Sequence, residues 1–114
     1  MDSLFILQNS EESWIKSTIK LPYGLRFHGA QFLNGNLYIF GGENEKWEIF
    51  NSLYRISEGS EWEKIADMNQ KRSGISNSSV ILNNCIWVLG GWCGNALKSV
   101  ERYCPTTEKW QYME

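Results

Sequence analysis

The feature that most constrains this chain is a period. Gly41-Gly42 recurs as Gly90-Gly91, 49 residues on, and each pair closes an apolar run, Leu37-Tyr38-Ile39-Phe40 and Ile86-Trp87-Val88-Leu89. A tyrosine stands twelve residues after the second glycine of each pair, Tyr54 and Tyr103, and a tryptophan follows, Trp62 and Trp110, one residue closer together than the glycine pairs. The tryptophan ending occurs once more at Trp14, as far upstream of Trp62 as Trp62 is of Trp110, with Leu4-Phe5 before it as Leu53-Tyr54 stand before Trp62. Three endings and two beginnings in 114 residues imply that the sequence opens inside a repeat. A period of this size specifies stacked supersecondary units, each burying its apolar face against the next.

Each period reads as short strands. Asn34-Gly35 and Asn83-Asn84, just ahead of Leu37 and Ile86, are residue types that accept the positive φ of a tight hairpin turn. The pattern predicts strands over 27–33, 36–40, 52–56 and 61–66, then 75–82, 85–89, 99–103 and 109–113. Two more, over 3–8 and 13–17, come from the broken first repeat. No window of about 11 residues or more holds a 3.6 period, so no long helix is expected. The predicted class is all-β, divided into a C-terminal half unit over 1–20 and full units over 21–66 and 67–114. Paired glycines after a buried strand permit a sharp turn where a Cβ would clash, and tyrosine and tryptophan bring large apolar area to a seam between sheets.

Arg72-Ser73-Gly74, the run from Leu82 to Gly91, Ser99-Val100-Glu101-Arg102-Tyr103 and Trp110 together resemble one kelch repeat read end to end. The resemblance covers nearly the whole chain. It implies a fragment of a kelch-type β-propeller, two four-stranded antiparallel blades plus the C-terminal half of a preceding blade. The chain departs from the pattern in places. The glycine-pair interval counted back from Arg72 gives Tyr23, so the first full blade lacks the usual arginine unless Arg26 stands in for it. Cys104-Pro105 replaces a frequent Asp-Pro, and Ile56-Ser57 has no proline. A closed ring of six such blades takes roughly 300 residues. The end blades of an open arc expose an apolar face, so the chain is expected to be part of a longer protein, or to associate with itself, to cover its ends.

Little in the composition points to catalysis. A formal charge of -2 supplies no basic field for nucleic acid. Leu4-Phe5-Ile6-Leu7 is too short for a signal core or a membrane span. Cys85, Cys93 and Cys104 form neither an even disulfide set nor a Cys-x-x-Cys pair, the pattern of a reducing compartment, and a cytoplasmic location is expected. Cys85 reads as a small hydrophobe in a core strand, and Cys93, between Trp92 and Gly94, as the thiol most open to solvent. His28 is the only histidine and cannot build a multi-histidine metal site, while the cysteines lack zinc spacing. Nucleophile-elbow and phosphate-cradling motifs are missing from the sequence. No catalytic, metal or cofactor residue is assigned.

Recognition is the better reading. Trp14, Trp62 and Trp110 belong to the repeat and Trp87 matches Tyr38, but Trp47 and Trp92 fall in the loops after the glycine pairs, where the repeat asks for no aromatic. Loops on a rigid scaffold carry recognition and tryptophan is enriched at hot spots, although each ring could also cap its own loop. The segments joining one blade to the next carry Tyr23 and Arg26, then Asn69, Lys71, Arg72 and Ser73, and the first glycine-pair loop is acidic, with Glu43, Glu45 and Glu48. Tyr23, Arg26, Trp47, Asn69, Arg72 and Trp92 are therefore the candidate protein-binding residues. The stretch Ser99 to Tyr103 resembles kelch proteins in which a BTB domain precedes the propeller. That resemblance implies the substrate-selecting part of a cullin-RING ubiquitin ligase adaptor, with the BTB part outside this chain. An actin-binding kelch protein and a truncated product without independent function are the alternatives.

Overall fold

Two tight hairpins seed the architecture in a computed structural model that describes residues 26–57 and 61–113. Asn34 and Gly35 turn β1 (Gly29–Leu33) into β2 (Asn36–Phe40) at φ of 54° and 81°. Asn83 and Asn84, at 53° and 61°, turn β5 (Ser79–Leu82) into β6 (Cys85–Leu89). Two successive positive φ values match the right-handed twist of the paired strands. With β3 (Leu53–Ser57) and β4 (Glu63–Lys64) the first sheet has the order β1-β2-β3-β4. With β7 (Val100–Cys104) and β8 (Lys109–Met113) the second has the order β5-β6-β7-β8. Both are antiparallel meanders, and no helix occurs among the described residues. The eight strands expected from residue 27 onward are present, but three are trimmed, the first being β1, which starts at Gly29 rather than at 27. β4 keeps two residues, and β5 starts at Ser79 because Ser73 and Ile75 donate their N–H groups to Trp92 and Phe27 instead. The half unit over 1–20, with Trp14, lies outside the described residues.

Alternation along the strands puts Tyr38 and Phe40 on one face of the first sheet, and that face packs on the second. Tyr38 and Tyr103 have ring centres 5.8 Å apart, and Phe40 meets Trp110 edge-on at 6.1 Å. Leu33, Leu53, Met68, Ile75, Ile86 and Val88 complete the same buried cluster. The Trp110 Nε1–H donates to the Ala66 carbonyl at 3.2 Å, and the Gln31 amide donates to Ser79 Oγ at 3.0 Å. The seam is therefore apolar at its centre and stitched by hydrogen bonds at its margins.

Register corrects part of the repeat. Phe40 pairs with Leu53 and Leu89 pairs with Val100, so β3 and β7 correspond at an interval two residues shorter than that of the glycine pairs. The counterpart of Tyr103 is Ile56, and Tyr54 corresponds to Glu101. The equal spacing of the two tyrosines is a coincidence, produced by a glycine-pair loop two residues longer in the first blade. Tyr54 pairs with Lys64 and Glu101 with Tyr112, which keeps Trp62 and Trp110 in the correspondence that the sequence indicates. The blade-joining segments shift likewise. Arg26 bridges Glu43 as Ser73 bridges Trp92, and Phe27 at φ 58° takes the place of Gly74 at 68°. Arg26 is thus the counterpart of Ser73 and does not stand in for Arg72, while Tyr23 lies outside the described residues.

Arg72 staples the blades together. Its main chain belongs to the first, where its carbonyl accepts from Gly42 N at 2.7 Å and its N–H donates to Phe50 O at 3.2 Å. Its side chain belongs to the second. Nε and Nη2 donate to Glu101 Oε2 at 3.3 and 3.0 Å, Nη1 to the Gly90 and Ser99 carbonyls at 2.7 and 2.9 Å, and Nη2 to Ser99 Oγ at 2.9 Å. All five guanidinium donors are used. Glu101 accepts in addition from the N–H groups of Asn69 and Gln70 and from the Asn69 amide. Both Arg72 and Glu101 are fully buried.

The glycine pair is required by that staple. A Cβ on Gly41, at φ 66°, would lie 2.6 Å from the Arg72 carbonyl oxygen. Gly41→Ala is expected to cost about 1–2 kcal/mol for the left-handed backbone alone and more for displacing the Arg72 strand. Gly94→Ala, at φ 79° with nothing within 4 Å, should show only the backbone cost. Urea unfolding of both variants checks this, and equal losses would contradict the close approach.

The cysteines require a second correction. β6 and β7 place Cys85 directly opposite Cys104, with Cα atoms 4.4 Å apart, and the two form a disulfide that leaves Cys93 free. Spacing in sequence does not disclose the pair, because strand register brings the two sulfurs together. Cys85 is not merely a small hydrophobe, and the cysteine pattern no longer argues for a reducing compartment.

Candidate functional site

The site grows from the way each blade is joined to the one before it. Arg26 and Glu43 exchange backbone hydrogen bonds of 2.9 and 3.0 Å, and Ser73 and Trp92 exchange two of 2.9 Å. Each joining segment therefore lies antiparallel to the loop after a glycine pair, and the two sets are coupled through one carboxylate. Glu43, almost fully buried, accepts from Ser73 Oγ and from Arg26 Nη2, the latter at 3.4 Å. The backbone at residue 73 leads directly to Trp92, so the chain of contacts runs from the first blade to the second.

Around this polar spine stand exposed rings. The Arg26 guanidinium lies 4.5 Å from the centre of the Trp47 ring and 5.7 Å from that of Phe27, an arrangement in which the cation is held by both aromatic faces. Trp47 is 73% exposed, and Phe27 and Trp92 are each 51% exposed. The loop that carries Trp47 is stiffened by Asn44. Its Oδ1 accepts from Lys46 N and Glu48 N at 3.0 Å each, its amide donates to Glu48 Oε1 at 2.6 Å, and its carbonyl accepts from Trp47 N at 3.1 Å. Asparagine suits this position because its short side chain bonds to the backbone two residues on. The second loop closes through Cys93 N to Asn95 O at 3.0 Å and Leu97 N to Gly91 O at 2.8 Å.

Of the residues singled out from sequence, Arg26, Trp47 and Trp92 gather on this one surface. Asn69 is exposed, but its amide is committed to Glu101 and to the Trp110 carbonyl at 3.1 and 3.4 Å. Arg72 is corrected from contact residue to internal staple, since a fully buried guanidinium with every donor used has nothing to offer a partner. Tyr23 lies outside the described residues. Sequence reasoning misses Phe27, whose positive φ no local pattern announces. It places Glu43 in a solvated acidic loop, and only the contact with Ser73, 30 residues on, reveals its role. His28 sits behind the site with a buried Nδ1 that has no hydrogen-bond partner, and burial lowers its pKa. Among the described residues no group of three or more histidine, cysteine or acidic side chains is placed to hold a metal ion.

Comparison with known proteins follows the same lines. A family model described as Kelch motif matches residues 24–69 and 76–114. The chain is 34% identical over 118 residues to Kelch-like protein 36 of Mus musculus, which takes in 98% of this chain and 19% of that protein. It is 35% identical over 105 residues to Kelch-like protein 23 of Homo sapiens, with 90% of this chain and 17% of that protein covered. Against beta-scruin of Limulus polyphemus the identity is 27% over 118 residues, covering 95% and 12%. The chain spans about a fifth or less of the length of these curated relatives.

Proposed function

The chain belongs to the kelch-repeat family, and from that premise we propose that it forms part of the substrate-recognition face of a cullin-RING ubiquitin ligase adaptor, gripping its target with Trp47, Phe27 and Trp92. The coarser statement, that it is a protein-interaction module, follows from its family. The adaptor reading rests on the resemblance to BTB-kelch proteins, and a cytoplasmic location goes with it. One observation carries the choice of face. Three large aromatic side chains are held in water on loops braced internally through Asn44 and Glu43. Such a surface gains by covering its rings, and exposed aromatics on a rigid support are typical of an interface centre.

Trp47→Ala and Trp92→Ala, alone and combined, are expected to leave unfolding stability within about 0.5 kcal/mol, as for other surface changes. Each should weaken the captured partner by at least about 2 kcal/mol, or roughly 30-fold. Affinity capture from lysate with identification by mass spectrometry checks this. Undiminished capture by the double variant would remove the face from the reading. Co-sedimentation of the parent chain with filamentous actin, lost in the same variants, would replace the adaptor role with a cytoskeletal one.

A further inference from the structure

The second blade shows what the fold needs where a joining segment meets a glycine-pair loop. There Ser73 pairs through its main chain with Trp92, and Gly74 follows at φ 68°. The first blade fills the same two places with Arg26, paired with Glu43, and with Phe27 at φ 58°. Either set makes the backbone pairing, so the arginine and the phenylalanine are surplus to the architecture. Phenylalanine is also a costly substitute for glycine at a positive φ, and local strain of this kind gathers at functional sites.

We propose that Arg26 is the carboxylate anchor of the recognition face, and that the captured segment presents an aspartate or glutamate to it with apolar side chains close by. The inference rests on the reading that Trp47, Phe27 and Trp92 grip the target, and it adds the chemical class of what they grip.

Arg26 is a cation prepared in advance and little used. Its main chain is fixed by two hydrogen bonds to Glu43, and its guanidinium is set against Trp47 and Phe27, 4.5 and 5.7 Å from the ring centres. Nη2 reaches Glu43 Oε2 only at 3.4 Å, and Nε is buried without a partner. Glu43 is itself shared, since it also accepts from the Ser73 hydroxyl. Arg72 shows by contrast what a saturated guanidinium is in this chain, with every donor bonded and no exposure. Arg26 keeps 40% of its side chain in water, and Nη1 makes no hydrogen bond among the described residues. A planar fork with free donors, steadied by aromatic rings, suits a carboxylate held through parallel hydrogen bonds. In an extended segment alternate side chains point the same way about 7 Å apart. An acid on Arg26 therefore brings the side chains two places away toward the flanking rings. Charge alone does not make the choice, because Glu45 and Glu48 share the loop with Lys46, and Glu48 is tied to Asn44. Arg26 is the charge that the rings enclose.

Panning a display library of random peptides, carried without a free C-terminus, on the parent chain tests this. Enriched peptides should carry aspartate or glutamate with an apolar residue two places away on one or both sides. Synthetic versions should bind at least about tenfold more weakly when the acid becomes its amide, an exchange that leaves the protein untouched. Arg26→Gln should weaken the acidic peptide as much and the amide peptide not at all, which separates a lost anchor from a disturbed Trp47 loop. Arg26→Lys should recover only part of the loss, because it keeps the charge without the fork. Trp47→Ala should weaken both peptides. Peptides that depend on Trp47 but tolerate the amide exchange and Arg26→Gln would overturn the anchor and leave the face intact, whereas peptides indifferent to Trp47 and Trp92 would overturn the face as well. A library that yields no acidic binder would overturn the proposal, and enrichment of lysine or arginine would give the charge selection to Glu45 and Glu48 instead. Phosphoserine in place of the acid, bound about tenfold more tightly, would assign Arg26 to phosphorylated targets and also overturn it.

Discussion

Replacing Arg72 with methionine is expected to destabilise the chain by about 3–5 kcal/mol, because it leaves Glu101 as a buried charge without its counter-ion. The Gly90 and Ser99 carbonyls lose their donor in the same step. Set against a typical net stability of about 5–15 kcal/mol, this is a large share of what holds a domain folded. Urea unfolding followed by tryptophan fluorescence measures it. The double variant Arg72→Met with Glu101→Met should recover part of the loss, since both charges leave together and an apolar pair of similar volume can replace a buried ion pair at little cost. A single variant as stable as the parent would show that the staple contributes nothing, and a double variant no better than the single would place the cost in packing.

Trp110→Ala is expected to lose about 3–5 kcal/mol, the usual range for deleting a buried tryptophan. Trp110 touches both halves of the core. It sits 5.5 Å from Tyr103 in its own blade, 6.1 Å from Phe40 across the seam, and donates to the Ala66 carbonyl where the first blade ends. Trp110→Phe separates these contributions. It keeps most of the aromatic contact but leaves the Ala66 carbonyl without its donor, for about 1–2 kcal/mol. Equal losses in the two variants would place the effect in the hydrogen bond, and a small loss in both would mean that the sheets adhere without this ring.

Legibility divides along the range over which each feature is encoded. Trp47 and Trp92 are readable as surplus aromatics because a repeat states what each position needs, so a ring outside the pattern stands out. Arg72 reads as a contact residue because a charged side chain in a joining segment is usually exposed. Its burial depends on Glu101, 29 residues later. Phe27 and Glu43 join the site only through backbone pairing between segments that sequence leaves unrelated.

The sequence by itself determined the period, the hairpins at Asn34-Gly35 and Asn83-Asn84, the glycine pairs and the step from Trp62 to Trp110. All of these depend on local turn chemistry and alternation, which neighbouring residues dictate. Tertiary structure decided that Tyr54 answers to Glu101 and Ile56 to Tyr103, that Cys85 meets Cys104, and that Arg72 turns inward. These are matters of register between strands joined by loops of unequal length, and a two-residue difference in a loop costs too little free energy to be visible in the pattern of the strands it connects.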